Sequence, residues 1–174
     1  MDSKAKRRLA EVIRRRFTGR LTPTGFLRTK TTFWVRPKAH RLEFVHLHLF
    51  TFAPSFRVHF GVRVLNDTFP AAALNGLSSA DGFYGPRREF VFEFSEREES
   101  LEACVADLVR FVTTVGLPWF AALSDADSLL GSTSPLAPDE RAALREALAG
   151  GARPEVEAAS RRILGADRVV LGAG

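Results

Sequence analysis

The chain has 174 residues, 45% of them hydrophobic, which suits one globular domain with its own core. Its single cysteine, Cys104, excludes an internal disulfide framework. No apolar run approaches the ~20 residues of a membrane span and the N-terminus is charged, so we predict a cytoplasmic protein of bacterial type without membrane contact. The net charge of +5 is unevenly distributed, because residues 1–41 carry 13 Lys and Arg against two acids.

The basic N-terminal region predicts an amphipathic helix over residues 3–18, with an apolar stripe on one side and Lys and Arg on the rest. Such a helix packs on a core with its charges in water, or it binds nucleic acid through those charges. The candidate residues for phosphate contacts and base stacking are Arg7, Arg8, Arg14, Arg15, Arg16 and Trp34.

Residues 42–52 and 56–65 predict two long antiparallel strands. In the second strand, apolar residues from Phe56 to Val64 alternate with polar ones, the pattern of a half-buried strand. A two-residue turn at Pro54-Ser55 would pair Leu49 with Phe60. That register gathers one polar set on the outer side of the sheet: His46, His48, Arg57, His59 and Arg63. A three-residue turn would bury the histidines instead.

Two further strands are predicted at 31–36 and 88–94, and a central helix at 97–115. The pair Ser95 and Glu98 has the spacing of a capping box at the start of this helix. A long connection, residues 66–87, is rich in Gly, Ser, Ala and Pro, and loops of this length are often functional.

Together these elements predict an α+β domain over residues 1–123. A mainly antiparallel four-stranded sheet packs on the N-terminal and central helices. Residues 124–138 have the composition of a linker. Residues 139–174 form a C-terminal helical appendage in this prediction, with alanine-rich helices at 139–149 and 154–164.

Several short motifs follow one another in a recognisable order: Gly25-Phe26, Phe33-Trp34, His46-Leu47-His48, FRVHFGV from residue 56, and Leu117-Pro118. In this order the chain resembles the domain of unknown function 4304 family over roughly residues 5–130. That family usually has Asn and Gln at the positions of His46 and His48, and Asn at that of His59. The resemblance implies an α+β domain of bacterial origin and carries no activity with it.

Three histidines on one sheet face have the ligand types of an open, catalytic zinc site. No carboxylate is predicted on that face to orient the rings, and Arg57 and Arg63 would repel a cation. We therefore assign no metal and no cofactor. The same side chains are suited to an anion, which guanidinium groups bind through paired hydrogen bonds.

The predicted function is a non-catalytic binding module that holds a protein partner or an anionic ligand on the outer sheet face and the loop 66–87. Phe44, Phe50 and Phe52 share that face and require a cover, supplied by the C-terminal helices, by another protein or by a second copy in a homodimer. A nucleic-acid-binding protein is the alternative, and a zinc-dependent hydrolase is the third. No catalytic residues are assigned, since no nucleophile elbow, phosphate loop or paired-carboxylate motif is present.

Overall fold

The computed structural model describes residues 1–80, 89–167 and 169 and has an α+β fold, as predicted. Its sheet is an antiparallel meander in the order β1-β2-β3-β4, formed by β1 Leu27–Lys30, β2 Phe33–Pro37, β3 Arg41–Leu49 and β4 Phe56–Val64. The helices are α1 Ser3–Leu21, α2 Glu98–Phe111, α3 Leu117–Ala122, α4 Ala126–Leu130, α5 Pro138–Gly150 and α6 Pro154–Leu164. A 3-10 turn, Thr22–Thr24, follows α1, and a π turn, Val112–Gly116, joins α2 to α3.

The main core lies between α1, α2 and the face of the sheet that we call the inner face. Helix α1 begins where Asp2 Oδ1 accepts a hydrogen bond from the Ala5 amide at 2.7 Å. Its buried stripe includes Phe17, whose ring meets Trp34 edge-on with the centroids 4.9 Å apart. The inner face and α2 contribute the other large buried side chains: Val45, Leu47, Val58, Phe60, Val62, Leu101, Val105, Leu108 and Phe111.

The β3–β4 hairpin has the predicted faces but not the predicted register. Leu49 pairs with Phe56, whereas we expected it to pair with Phe60, and a six-residue loop, 50–55, replaces the two-residue turn. The difference is four residues along β4. Because side chains alternate with a period of two, an even shift leaves every residue on its predicted face.

The prediction of a strand at 88–94 is wrong for its described part, residues 89–94, and β1 is the fourth strand instead. Only one isolated bridge, Ser55 with Glu93, links this segment to the hairpin. Much of its backbone bonding goes to α2: the Val91 amide donates to Asp107 Oδ2 at 2.7 Å, and Phe92 accepts from Cys104 Sγ at 3.5 Å. The alternating phenylalanines therefore line the core without joining the sheet.

The described part of the long loop protects the edge of β4. The amides of Phe60 and Ser79 donate to Leu77 and Val58 carbonyls at 2.8 and 2.9 Å. Asn75 bonds both the amide and the carbonyl of Val62, at 3.0 and 2.9 Å. Exposed strand edges can pair with other chains, and this part of the loop prevents such pairing by covering the edge of β4. Residues 81–87 of the predicted loop lie outside the described residues.

The predicted capping box at α2 does not form. The helix begins at Glu98 after Arg97, and Ser95 bonds instead to Ser100, whose Oγ accepts from the Ser95 amide at 2.9 Å. Nor does the helical path end at Gly116 and Pro118, because the π turn carries it into α3. Pro118 lies in the first turn of α3, where an amide proton is not needed.

The C-terminal half packs on both faces of the sheet. The segment predicted as a linker, 124–138, contains α4 and contributes Leu129 and Leu136 to the main core. On the opposite, outer face of the sheet, Leu164 and Ala166 pack with Val35, Leu42, Phe44 and Leu65. The C-terminal helices thus cover one end of the face that carries Phe44.

The helical stretch Glu98–Ala122 is the one described segment long and apolar enough to span a membrane by length and composition alone. The core helix of a soluble protein meets the same criterion. Here the stretch includes α2, which packs against α1 and lends its apolar side to the main core.

Candidate binding face

The part of the outer face that α6 leaves uncovered carries the histidines. The register places Phe33 opposite His46, His46 opposite His59, and His48 opposite Arg57. We call these five side chains the histidine face. Sequence reasoning placed four of them together and missed Phe33, although its position two residues before Val35 assigns it to the outer face.

Three rings of the histidine face form a stack across three strands. Phe33 and His46 are 4.5 Å apart between centroids at an interplanar angle of 30°, and His46 and His59 are 5.9 Å apart at 26°. Stacking holds the rings in place across the sheet. His59 also pairs with Ser78 through the bridge that ties the long loop to β4.

A second group of side chains continues the face toward the hairpin loop. His48 is exposed, and its ring meets Phe50 at 5.6 Å and 90°. The Arg57 guanidinium lies over the Phe50 ring at 4.9 Å, a cation–π contact. Phe52, two residues after Phe50, is 100% exposed. Lys6 of α1 donates to the carbonyls of Phe50 and Thr51, which ties the loop to the basic helix.

His46 is neutral at pH 7. Burial is the main cause that lowers its pKa to about 4, and the charges of His59, His48 and Arg14 add to the effect. Its Nδ1 is buried and has no hydrogen-bond partner among the described residues. Arg57, and not His46, therefore supplies the positive charge of this face.

Arg63, predicted as part of the anion-binding set, is a structural residue. Its side chain is only 2% exposed and donates to the carbonyls of Asp67, Phe69 and Ala71 at 2.8–2.9 Å. Its guanidinium also forms an ion pair with the Asp67 carboxylate at 3.1 Å. Because these bonds use both terminal nitrogens of its buried guanidinium to hold the start of the long loop, Arg63 does not face a ligand.

The predicted nucleic-acid-binding set is also divided by the fold. Trp34 is fully buried, and its indole donates to Thr18 Oγ1 at 3.0 Å. Arg14 is buried with its guanidinium 5.4 Å from the Phe56 ring centroid. Arg16 is bound to Glu98 and Glu102, at 2.5 and 2.6 Å. Of the others, Arg15 is paired with Glu11 at 3.3 Å, and Arg7 and Arg8 are exposed.

No group of three or more His, Cys, Asp or Glu in the described residues is arranged to hold a metal ion. The four strands place no carboxylate on the outer face, where a ring-orienting acid would be needed. The arrangement is suited to hydrogen bonding, cation–π contact and charge pairing with an anion.

Phe50 and Phe52 were predicted to share the outer face, and they lie at the border of the histidine face, with Phe50 partly buried and Phe52 exposed. The correct register would have predicted this position, because the loop 50–55 places both phenylalanines beyond the last paired residues. Comparison with family models, with curated proteins and with solved structures finds no match for this chain. The resemblance to the domain of unknown function 4304 family therefore stays a prediction.

Proposed function

We propose that this protein is a non-catalytic binding module whose histidine face holds an acidic, aromatic-bearing segment of a partner protein. The observation that carries the proposal is the group His48, Phe50 and Arg57, in which a guanidinium and an imidazole flank one aromatic ring. Acidic side chains of a partner would bond to the Arg57 guanidinium and the His48 ring, and an apolar side chain would pack on the aromatic rings.

The charge of the face supports an acidic partner. The outer sides of the four strands carry the Arg57 guanidinium beside the rings and no carboxylate. Two copies of this face in a symmetric homodimer would bring like charges together, because a two-fold interface matches each patch with itself. A partner with the opposite charge avoids that repulsion.

The exposed Phe52 supports a protein partner over a free anion. A small anion would be held by Arg57 and His48 and would leave Phe52 in water, where it is 100% exposed. Aromatic side chains at the centre of an interface carry much of the binding free energy. A partner segment lying along β3 toward the loop would contact the cations and then cover this ring. The cytoplasmic location remains a prediction from the sequence.

Nucleic acid is the less favoured occupant. Of the arginines expected to contact phosphates, Arg14 is in the core and Arg15 and Arg16 form ion pairs with acidic residues. Only Arg7 and Arg8 remain exposed and outside these ion pairs, and the predicted stacking residue, Trp34, is buried. Binding driven by phosphates weakens steeply as salt rises, whereas an interface with a large apolar part weakens less. The salt dependence of binding distinguishes the two.

The test uses two fluorescein-labelled peptides, one in which Glu alternates with Phe and one in which Gln replaces Glu. Fluorescence anisotropy should detect binding of the Glu peptide and markedly weaker binding of the Gln peptide. Arg57→Gln should weaken the Glu peptide by at least about tenfold, since a hydrogen bond to a charged group contributes about 1.5–3 kcal/mol. Phe52→Ser should weaken both peptides.

Arg145→Gln is the matched control, because Arg145 is an exposed arginine on α5. It should leave the affinity unchanged. Equal binding of the two peptides, or binding that is insensitive to Arg57→Gln, would exclude the histidine face as an acidic-segment site. A stable dimer in light scattering that Arg57→Gln dissociates would assign the face to a second copy and overturn the proposal.

A further inference from the structure

A second cationic site lies on the opposite side of the sheet, between the β2–β3 turn and α3. It is an open cavity of about 480 Å³, a size typical of small-molecule sites. Three of its lining side chains are cations, Arg36, Lys38 and Arg41. We call it the arginine pocket.

Glu43 is a carboxylate of the pocket, and its two oxygens are already occupied. It is 1% exposed; Oε2 accepts from Arg36 Nε at 2.8 Å and Oε1 from Arg41 Nη2 at 3.0 Å. Arg36 also donates to the Thr24 carbonyl at 3.1 Å and lies over the Phe26 ring at 4.6 Å. These contacts fix both guanidinium groups in position before any ligand arrives, which lowers the entropic cost of binding.

The lining residues carry more positive charge than Glu43 neutralises. Arg41 Nε is buried and donates no hydrogen bond to the described part of the chain. Lys38 is exposed at the turn, and the salt bridges of the described residues do not include it. A further acid, Asp125, caps α4 by accepting from the Ser128 amide at 2.7 Å. That bond is the main cause that lowers the pKa of Asp125, and Arg41 adds a smaller effect.

The other wall of the pocket is apolar. It is formed by Leu117, Phe120 and Ala121 of α3, and the Arg36 guanidinium is 5.6 Å from the Phe120 ring centroid. The π turn Val112–Gly116 sets the position of α3, and π turns often occur at functional sites. Cations on one side and an apolar wall on the other define a ligand with one anionic end and one apolar end.

We propose that the arginine pocket binds a small anionic amphiphile, a carboxylate or phosphate monoester with a short apolar chain. The anionic head lies between Lys38 and Arg41, and the chain lies against Leu117 and Ala121. This proposal is independent of the acidic-segment site, since the histidine face lies on the other side of the sheet.

Isothermal titration calorimetry with octanoate, octyl phosphate and octanol tests it on the full chain. The two anions should bind, and octanol should bind at least about tenfold more weakly, which corresponds to about 1.4 kcal/mol. Amide chemical-shift changes on adding octanoate should concentrate in residues 36–43 and 117–124. A stronger response to octyl phosphate than to octanoate would identify a phosphate head as the preferred one.

Two exposed positions allow variants without disturbing the core. Lys38→Glu should weaken anion binding at least about tenfold, and Ala121→Glu, which places a carboxylate in the cavity, should abolish it. Lys4→Glu, an equal charge change on α1, is the control and should bind as the wild type does. Equal affinities for octanol and octanoate, no binding by either anion, or unchanged binding in both pocket variants would overturn the proposal.

Discussion

His46 and His59 lie directly opposite each other on β3 and β4, with their rings stacked 5.9 Å apart between centroids. The ring of His46 is half-buried, and burial, reinforced by the charges of His59, His48 and Arg14, lowers its pKa to about 4. The unfolded chain has an ordinary histidine there, with a pKa near 6.5. As pH falls through this interval, the unfolded state takes up the proton first, so the free energy of unfolding must decrease.

We predict a loss of about 1–2 kcal/mol from His46 between pH 7 and pH 4, allowing for the water that still reaches the ring. His46→Gln should remove this contribution and flatten the pH dependence, whereas His40→Gln, at the β2–β3 turn, should not. Urea unfolding at several pH values measures both. An NMR titration of the His46 ring with a midpoint near 6.5 would contradict the burial argument.

The hairpin illustrates how much of the fold the sequence predicts. Alternation along β4 indicates which side of the strand faces the core, because burial of one face is a property of each residue. It does not indicate which residues lie opposite one another, since shifts by two or four residues preserve the faces. The pairing of His46 with His59 depends on the length of the loop 50–55 and on contacts such as that of Lys6 with the Phe50 carbonyl.

Strand β1 and the segment 89–94 show that the sequence pattern does not predict which segments join the sheet either. Residues Leu27–Lys30 have no apolar alternation, and the strand is held by its pairing with β2 and by the ion pair of Arg28 with Glu11 at 2.9 Å. Residues 90–94 have strong alternation, yet α2 provides many of their partners. In both segments, contacts with the rest of the fold override the local strand propensity.

The sequence indicates the kind of candidate site, a polar and aromatic sheet face, but not which residues form it. Arg57 and Arg63 are six residues apart on one strand face, and nothing local distinguishes them. What separates them is the start of the long loop, which wraps its carbonyls around Arg63 and leaves Arg57 at the open end of the sheet. The arginine pocket was not predicted, because its residues come from two segments that are far apart in the sequence, 36–43 and 117–124.

Gly61 provides a stability test of the covered end of the outer face. The Phe44 ring lies so close that a Cβ at residue 61 would be 2.2 Å from Phe44 Cζ. Gly61→Ala should lower the free energy of unfolding by about 1–3 kcal/mol through overpacking. Gly19→Ala is the matched control, because a Cβ there meets nothing within 4 Å, and in α1 it should stabilise by about 0.5–1 kcal/mol. Chemical denaturation that ranks the two substitutions in the opposite order would contradict the packing of Phe44 over β4.

Cys104 should resist thiol reagents in the native state. Burial raises the pKa of its thiol to about 12, and Sγ–H donates to the Phe92 carbonyl at 3.5 Å. Little thiolate therefore exists at pH 8, and the reagent has no access. Labelling with a chromogenic disulfide should be slow in buffer and fast in urea, whereas a second cysteine introduced by Ser132→Cys, at an exposed position, should react at once. Equal rates at the two positions in buffer would mean that the segment containing Phe92 does not cover α2.

Arg57 and Arg63 provide the sharpest separation between binding and stability, because they share a strand and a face. Arg63→Gln would remove the ion pair with Asp67 and the hydrogen bonds to three loop carbonyls, of which the Asp67 carbonyl keeps the Ser160 hydroxyl as a donor. It should therefore cost about 3–5 kcal/mol of unfolding free energy. Arg57→Gln would remove a cation–π contact at a partly exposed site, which contributes about 0.5–1 kcal/mol. Urea unfolding and the anisotropy assay on both variants should therefore give opposite patterns. Arg57→Gln should lose affinity for the Glu peptide with nearly native stability, and Arg63→Gln should lose stability while the fraction that remains folded binds normally. A loss of unfolding free energy for Arg57→Gln as large as that for Arg63→Gln would make Arg57 a structural residue and leave the histidine face without its principal cation.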